Sequence, residues 1–434
     1  MTTPESALLS LLRFVLTGVN GRQAADSAPA AQTGAKSVKK AAPPAMAELS
    51  AEERLAVFRL AENHKLLPLI LDSVCAHPMW SGAADSPAGG GKSWRELALD
   101  QALRQAIQEN EFLELILALR ERGIDPIVVK GPVCRALYPK PLLRPSVDDD
   151  LLIPEDSAPA CHEAMLELGL SADHPEQKPE DVWELSYHKL NTPLYVELHK
   201  SLFSPEDAIF RGYNELFNRA RSRTVPIRLQ DVTLMTLSPE DHLLFLILHA
   251  FKHFLHSGFG LRIVADICLF SRAYGGEIDF SRLLSVCGAL RCDRFAAAVY
   301  RIGEKYLGLP APSAFAERSV DETALLADVL AAGLHGAEID RLHSANITLN
   351  AVQSQIEGRK ASGSLRNTVF LPVKKLSDRY SYLEKCPWLL PAAWVSRAFG
   401  YLTDRRHGKQ DPKTSFRIGK ERVRLLQEYG VIDA

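Results

Sequence analysis

The chain has 434 residues, enough for two or three domains. Its hydrophobic fraction of 46% and charged fraction of 24% are typical of a soluble globular protein and exclude a disordered or membrane-embedded one. The 51 basic and 53 acidic residues give a formal net charge of −2, so no overall field would attract nucleic acid or an anionic membrane.

Cysteine usage and the N-terminal sequence predict a cytoplasmic location. The seven cysteines are odd in number and include no C-x-x-C pair, which favours free thiols in a reducing compartment. The first charged side chain is the acidic Glu5, so the N-terminus lacks the positive region of a signal peptide. No uncharged apolar run is long enough to span a membrane. We therefore expect a cytoplasmic protein with no membrane partner.

The chain is predicted to begin with a helix and a linker. A short amphipathic helix, from Glu5 to Leu16, is expected within residues 1–21. Residues 22–48 are rich in Ala, Pro, Ser and Lys and have little apolar mass to bury. Such a composition predicts a disordered linker.

Residues 49–124 are predicted to form an N-terminal helical region. Ser50 and Glu53 have the spacing of a capping box, which marks the start of a helix. The stretch at 81–93 is rich in Gly and is expected to be a loop. A long helix should follow from Trp94 to Arg122, with Gly123 as its C-terminal cap.

The hydrophobic pattern then changes period, and residues 125–236 are predicted to form a small mixed β-sheet. Runs of β-branched and alternating apolar residues indicate strands. One helix is expected between the second and third strands, from Ser157 to Leu168. The four predicted strands are Pro126–Lys130, Asp150–Ile153, Leu194–Leu198 and Thr224–Leu229.

The rest of the chain is predicted to be helical. Ser238 at an N-cap and Pro239 at the first helical position mark a helix start. We assign residues 237–310 to a helical domain and 311–434 to a C-terminal helical region. The predicted fold class is therefore α+β, with a small mixed sheet flanked by N-terminal and C-terminal helical regions.

Three carboxylates are predicted to converge at one place in the sheet. Alternate residues of a strand share a face, so Asp148 and Asp150 should point the same way and Asp149 the opposite way. Glu197 lies in another strand, between apolar Val196 and Leu198. Like charges that close repel one another, and a divalent cation is the simplest compensation. Mg²⁺ (or Mn²⁺) held by Asp148, Asp150 and Glu197 would suit an in-line attack at a phosphoryl group.

The segment before these carboxylates predicts a phosphate site. A strand ending at Lys130 and Gly131, followed by a helix, would place backbone N–H groups beside the carboxylates. Gly131 allows a close approach of the backbone. Lys130 and Arg144 are cations that could contact a triphosphate. The competing interpretation is that the D-D-D run is a solvated loop and that Lys130 only extends from a strand end into water.

Histidines form a second set of candidates. His249 and His253 share one face of a helix, and we favour hydrogen bonds between helices as their role. The alternative is that His253 and Asp266 line the cleft from the helical side. His199, in the same strand as Glu197, is with Glu197 a candidate acceptor for a proton.

Residues from Ile127 to Phe203 resemble the uncharacterised nucleotidyltransferase family of bacteria, a branch of the polymerase-beta-like superfamily. The resemblance implies that Asp148 and Asp150 bind metal, that Glu197 is the third carboxylate and that Gly131 lies at the phosphate-binding turn. One departure is Asp149, since the middle of this D-x-D motif is normally apolar. The matching motifs are Lys130-Gly131, Leu137-Tyr138-Pro139, Leu143-Arg144-Pro145, Asp148 to Ile153 and Val196-Glu197-Leu198-His199.

The resemblance implies a nucleotidyltransferase core at residues 125–236. The expected reaction is metal-dependent transfer of a nucleoside monophosphate from a nucleoside triphosphate to an acceptor hydroxyl. The acceptor could be a small molecule, a protein or RNA. Two alternatives stay open: an inactive nucleotide-binding or scaffold protein with the same fold, and a toxin-like nucleotidyltransferase that acts on tRNA or protein.

Overall fold

The structure is a computed structural model that describes residues 1–18, 49–332, 338–356, 383, 386–396 and 412–433. The predicted linker at 22–48 lies outside these residues. Within them, no helix is both long and apolar enough to cross a membrane. The boundaries of the proposed domains stay predictions.

Among the described residues, three of the helices before the sheet begin at capping boxes. Ser50 accepts from the backbone N–H of Glu53, whose side chain bonds back to Ser50, as the capping box predicted. The same box starts the first helix at Thr2 and the long helix at Ser93. Gly123 follows the long helix with a φ of +77°, which confirms it as the stop signal. The helices are α1 (Thr3–Thr17), α2 (Ala51–Asn63), α3 (Leu67–Val74), α4 (Pro78–Ala84) and α5 (Trp94–Glu121).

The expected loop at 81–93 is wrong in part. Its first residues belong to α4, which ends at Ala84. A two-stranded hairpin follows, formed by β1 (Pro87–Gly89) and β2 (Lys92–Ser93). Trp80 anchors α4 because its ring is buried 5.3 Å from the ring of Phe58. The Gly-rich composition concealed this segment, because its helix and hairpin depend on contacts with other elements, such as Phe58 with Trp80 and Arg95 with Asp85.

The central feature is a seven-stranded mixed sheet in the order β5-β6-β7-β4-β3-β9-β8. Its middle contains two parallel pairs, β4 with β7 and β3 with β9, and one antiparallel pair, β3 with β4. The mixed sheet and the helices on either side of it in sequence confirm the α+β class. The strands are β3 (Ile127–Val129), β4 (Asp149–Leu152), β5 (Leu170–Ala172), β6 (Glu184–Lys189), β7 (Tyr195–His199), β8 (Val225–Leu229) and β9 (Val232–Thr236).

Three of these seven strands were not predicted. Strand β6 carried a period-two signal, because Leu185 and Tyr187 are buried while the residues between and after them are more exposed. Strand β9 pairs with β8 through a tight turn at Gln230, whose φ is +53°. Strand β5 has only three residues and becomes recognisable through its pairing with β6.

The helices around the sheet and after it complete a continuous hydrophobic core that includes residues from α1 to Ile432. Helix α8 is buried along almost its whole length, which explains its apolar sequence. The last helix, Pro412–Glu428, is joined to this core by Arg422, whose guanidinium bonds both carboxylate oxygens of Asp328 at 2.9 and 2.8 Å. The remaining helices are α6 (Gly131–Arg135), α7 (Ala158–Glu167), α8 (Pro239–Leu255), α9 (Leu261–Tyr274), α10 (Phe280–Ala289), α11 (Asp293–Leu307), α12 (Ser313–Ala316), α13 (Thr323–Ala332) and α14 (Glu338–Ile356).

Candidate active site

Pairing of β4 with β7 brings the predicted acidic residues together. The two strands are parallel neighbours, and their register places Asp150 directly beside Glu197 and Leu152 beside His199. One donor atom from each of Asp150, Glu197 and His199 lies within 4.8 Å of the others. Such a set of two carboxylates and an imidazole is able to hold one divalent cation.

Lys130 lies between the aspartates of the D-x-D motif. Its ammonium is 2.9 Å from an oxygen of Asp150 and 3.6 Å from an oxygen of Asp148. Burial alone would lower the pKa of Lys130, but the two aspartates raise it above its ordinary value. Burial likewise acts to raise the pKa of Asp150, and Lys130 and His199 bring it down to about 2. Asp148 thus joins the group through Lys130 and is not one of the three residues whose donors converge.

His199 is the second cation of the cluster. Its Nε2 is 3.1 Å from Asp150 and 3.5 Å from Glu197, and its Nδ1 is 3.4 Å from Glu184. Burial would lower the pKa of His199, yet the hydrogen bonds to Asp150 and Glu197 raise it to about 9. The imidazole is therefore protonated at pH 7. A divalent cation was expected as the simplest compensation for the repulsion between the carboxylates, and Lys130 and His199 already supply positive charge from the protein itself.

Asp149 points to the other side of the strand, as the alternation of side chains predicts. It is fully buried, accepts a hydrogen bond of 2.9 Å from Gln108 and lies 3.8 Å from the guanidinium of Arg135. Burial raises the pKa of Asp149 to about 6, although Arg135 opposes this shift. The solvated-run interpretation of the three aspartates is therefore wrong for Asp149. Its charge at the normally apolar position is paired inside the core.

The turn at Lys130 and Gly131 has a strained backbone. Lys130 has a φ of +55°, a conformation that costs a non-glycine residue on the order of 1–3 kcal/mol. Its backbone N–H donates to Nε2 of buried His242 at 3.2 Å. A Cβ on Gly131 would lie 2.8 Å from a carboxylate oxygen of Asp149, so any larger residue would require that side chain or the turn to shift. Helix α6, which follows, has five residues, so the predicted helix terminus for phosphate is weaker than expected.

A cavity of about 480 Å³ opens beside the carboxylates. Lys130, Gly131, Asp148 and Glu197 line it from the sheet side. Arg144, His253 and Asp266 line the same cavity, whereas Asp150 and His199 lie behind Glu197 and Lys130 and do not line it.

Arg144 and Asp266 are bound to each other within this cavity. The guanidinium of Arg144 donates to both oxygens of Asp266, at 3.1 and 2.5 Å. The hydroxyl of Tyr138 donates to the same carboxylate at 2.8 Å. Arg144 therefore reaches the cavity as half of a buried ion pair.

The histidine pair differs from its favoured interpretation. His249 and His253 bond to each other through Nε2 atoms 2.9 Å apart, both on α8, instead of joining two helices. Burial lowers the pKa of both imidazoles, that of His253 to about 3, so both are neutral. Both line the cavity, which agrees with the alternative placement of His253.

Glu184, Lys252 and Arg262 also line the cavity and had no role in the sequence interpretation. Glu184 was missed because β6 was missed, and the register of β6 with β7 places Glu184 opposite His199. Arg262 had a usable signal: it lies four residues before Asp266 on one helix, so the two side chains share a face.

Comparison with known proteins agrees with this arrangement. A family model described as "Uncharacterised nucleotidyltransferase" matches residues 50–308, more than half of the chain. No curated protein and no solved structure matches the chain. The matched region contains the sheet, the convergent Asp150, Glu197 and His199, and helices α8 and α9 that complete the cavity. The chain therefore belongs to the family of uncharacterised nucleotidyltransferases, a membership that supports nucleotidyl transfer in general.

Proposed function

We propose that the protein is a Mg²⁺- or Mn²⁺-dependent nucleotidyltransferase that moves a nucleoside monophosphate from a nucleoside triphosphate to an acceptor hydroxyl. The observation that carries the proposal is the convergence of Asp150, Glu197 and His199 within 4.8 Å, beside a cavity that Glu197 lines. Family membership adds the expectation of a nucleotide substrate. The acceptor, whether small molecule, protein or RNA, is left to experiment.

The donor atoms of the cluster fit a divalent cation. Mg²⁺ prefers carboxylate oxygens, which Asp150 and Glu197 offer, with Asp148 nearby through its contact with Lys130. Mn²⁺ also accepts a neutral imidazole, so His199 would bind it only after releasing its proton. When bound, such a cation would neutralise phosphoryl oxygens and favour attack at phosphorus.

Lys130 connects the carboxylates with the substrate pocket. Its ammonium contacts the carboxylates of Asp150 and Asp148, which a cation would also approach, and the residue lines the cavity. A dication would therefore compete with Lys130 for these oxygens. Released from them, the ammonium can pair with a phosphate oxygen in the cavity, which is a strong charge-assisted contact.

The reaction needs a proton acceptor from the chain. The acceptor oxygen bonds to the α-phosphorus while the bond between that phosphorus and the pyrophosphate oxygen breaks, and the hydroxyl proton must leave. Glu197 suits this role better than His199, because a pKa of about 9 means that His199 already carries a proton at pH 7. Glu197 is also the more accessible of the two, with 24% of its side chain exposed against 10% for His199.

The test is transfer of a labelled nucleotide. The full chain is incubated with each of the four α-labelled ribonucleoside triphosphates, Mg²⁺ or Mn²⁺ and a cell extract, and whatever becomes labelled is identified. Asp150→Asn is the matched inactive variant, because Asp150 belongs to the convergent group. Asp149→Asn is the matched active control, because Asp149 lies on the other side of the same strand.

The results separate this proposal from its rivals. Label transfer by the protein and by Asp149→Asn, but not by Asp150→Asn, supports a transferase at this site. Metal-dependent nucleotide binding with no labelled product under any of these conditions contradicts it and favours the inactive nucleotide-binding or scaffold alternative. A labelled tRNA or protein, together with growth arrest on overexpression, would favour the toxin-like alternative.

A further inference from the structure

Three cations line the cavity from outside the carboxylate cluster. Lys252 belongs to α8, Arg262 to α9, and Arg144 to the loop that leads into β4. We call these three residues the cationic wall. Sequence reasoning gave a role only to Arg144, and the transfer chemistry described above uses neither Lys252 nor Arg262.

Of the two arginines of the cationic wall, only Arg144 is bonded to a carboxylate among the described residues. Arg144 directs Nε and Nη2 to Asp266, while its Nη1 is buried with no hydrogen-bond partner in the described part of the chain. Arg262 donates to the backbone carbonyl of Pro145, and no carboxylate in the described part of the chain lies within 4.0 Å of it. Burial lowers the pKa of Arg262, and the positive charge of Arg144 lowers it further. This side of the cavity therefore has an excess of positive charge.

Lys252 adds a third positive charge. It is half-buried, its ammonium lies 6.0 Å from the ring centre of Trp183, and no carboxylate lies within 4.0 Å of it among the residues that the structure describes. The neighbouring His249 and His253 are neutral because burial lowers their pKa, so they do not add to the repulsion. Among the described residues, Lys252 has no carboxylate within 4.0 Å and the two arginines have one bonded carboxylate between them. This arrangement of charge suits a multiply charged anion.

We propose that the cationic wall binds the β- and γ-phosphates of the nucleoside triphosphate, the part that leaves as pyrophosphate. This inference rests on the proposed function, because it assigns the triphosphate to the cavity beside the carboxylate cluster. The α-phosphate would then lie near Asp150 and Glu197, and the two terminal phosphates near Arg144, Lys252 and Arg262. Arg144 would contribute its Nη1, since its Nε and Nη2 are bonded to Asp266. Arg262 would contribute the N–H groups that do not contact Pro145, and Lys252 suits a single strong contact.

The test uses inorganic pyrophosphate and tripolyphosphate as probes, which contain no nucleoside and cannot be transferred. Binding to the full chain is measured by calorimetry and by thermal shift, with and without Mg²⁺. Arg262→Met and Lys252→Met are each expected to weaken binding by about tenfold or more, as for a lost charged hydrogen bond. Arg228→Met is the matched control, since Arg228 is 72% exposed and paired with Asp231 on the far hairpin.

Two comparisons make the proposal refutable. Pyrophosphate should bind more tightly than orthophosphate, because it offers more anionic oxygens to the three cations. Equal binding of the two anions, or binding that survives both substitutions, contradicts the cationic wall. If Arg262→Met does not fold, Lys252→Met still decides, because Lys252 makes no ion pair among the described residues. Failure of labelled-nucleotide transfer with intact pyrophosphate binding would contradict the proposed function while leaving the cationic wall in place.

Discussion

Asp149 and Asp150 are adjacent in β4, but only Asp150 belongs to the candidate metal site. We therefore expect their asparagine variants to differ in stability and in their response to metal. The pKa of Asp150 is depressed to about 2, so its stabilisation is present above its ordinary pKa of 3.8 and is lost as the pH falls through about 2. The difference corresponds to about 2 kcal/mol at pH 7. Asp150→Asn removes this and leaves Lys130 short of its nearest carboxylate. We therefore expect Asp150→Asn to be less stable than the parent protein. If the carboxylates only repelled one another, removal of one charge would instead make the protein more stable.

The pKa of Asp149 is shifted in the opposite direction from that of Asp150. Its pKa is raised to about 6, so the protonated form contributes stability below about pH 3.8 and this contribution is lost as the pH rises through about 6. At pH 7 the buried charge therefore costs stability on the order of 3 kcal/mol. In Asp149→Asn, Arg135 keeps its 2.9 Å contact with Glu109. We expect this variant to be at least as stable as the parent protein.

The assay is the melting temperature at pH 7, in EDTA and in millimolar Mg²⁺ or Mn²⁺. Asp150→Asn should melt lower in EDTA and lose the stabilisation by metal that follows from binding to the folded state. Asp149→Asn should melt no lower than the parent protein and keep the full metal response. If Asp149→Asn abolished the metal response and Asp150→Asn preserved it, the assignment of faces to β4 would be refuted. If Asp150→Asn melted higher in EDTA, the stabilising role of its pairing with Lys130 would be refuted.

Three further predictions concern the same site. Lys130→Met should lower the stability in EDTA by on the order of 3 kcal/mol and tighten Mn²⁺ binding in calorimetry, because two carboxylates lose their neighbouring ammonium. Lys140→Met, at an exposed lysine, is the control, and unchanged or weaker Mn²⁺ binding by Lys130→Met would contradict competition between Lys130 and the cation. His199 has a pKa raised to about 9, so the stability that its protonated form contributes is complete below about pH 6.5 and is lost as the pH rises through 9. The melting temperature of His199→Gln should therefore fall less between pH 6.5 and pH 9 than that of the parent protein, and an equally steep fall would contradict this. Gly131→Ala should cost about 1–3 kcal/mol in urea unfolding, because its Cβ would lie 2.8 Å from Asp149, and a neutral result would show that the turn can move.

Elements with strong local signals could be predicted from the sequence. The capping box at Ser50 and the stop signal at Gly123 lie within a few residues of the helix ends that they mark, and the structure confirms both. The alternation of side chains along a strand likewise placed Asp149 on the opposite side from Asp148 and Asp150. Family membership was also recognisable, because its motifs are short and contiguous, and the family comparison confirms it. These features depend on neighbours in the chain, where backbone geometry fixes the relation between residues.

Contacts between distant segments could not be predicted in this way. The partner of Asp149 is Arg135, and the partner of Arg144 is Asp266, 122 residues away in the chain. No regular spacing in the sequence indicates either pairing, because packing of separate elements brings the partners together. The same holds for Lys130, which the sequence assigned to phosphate and which the structure places against Asp150.

The cluster of Asp150, Glu197 and His199 also depends partly on local sequence and partly on tertiary structure. The sequence determined that Asp150 and Glu197 would meet if their strands were neighbours, since strand geometry fixes side-chain direction. That β4 and β7 are neighbours, in a register that adds His199 to the pair, was decided by the assembly of the sheet. Protonation followed from that assembly, because burial among carboxylates, and not the identity of the residue, raises the pKa of His199 to about 9.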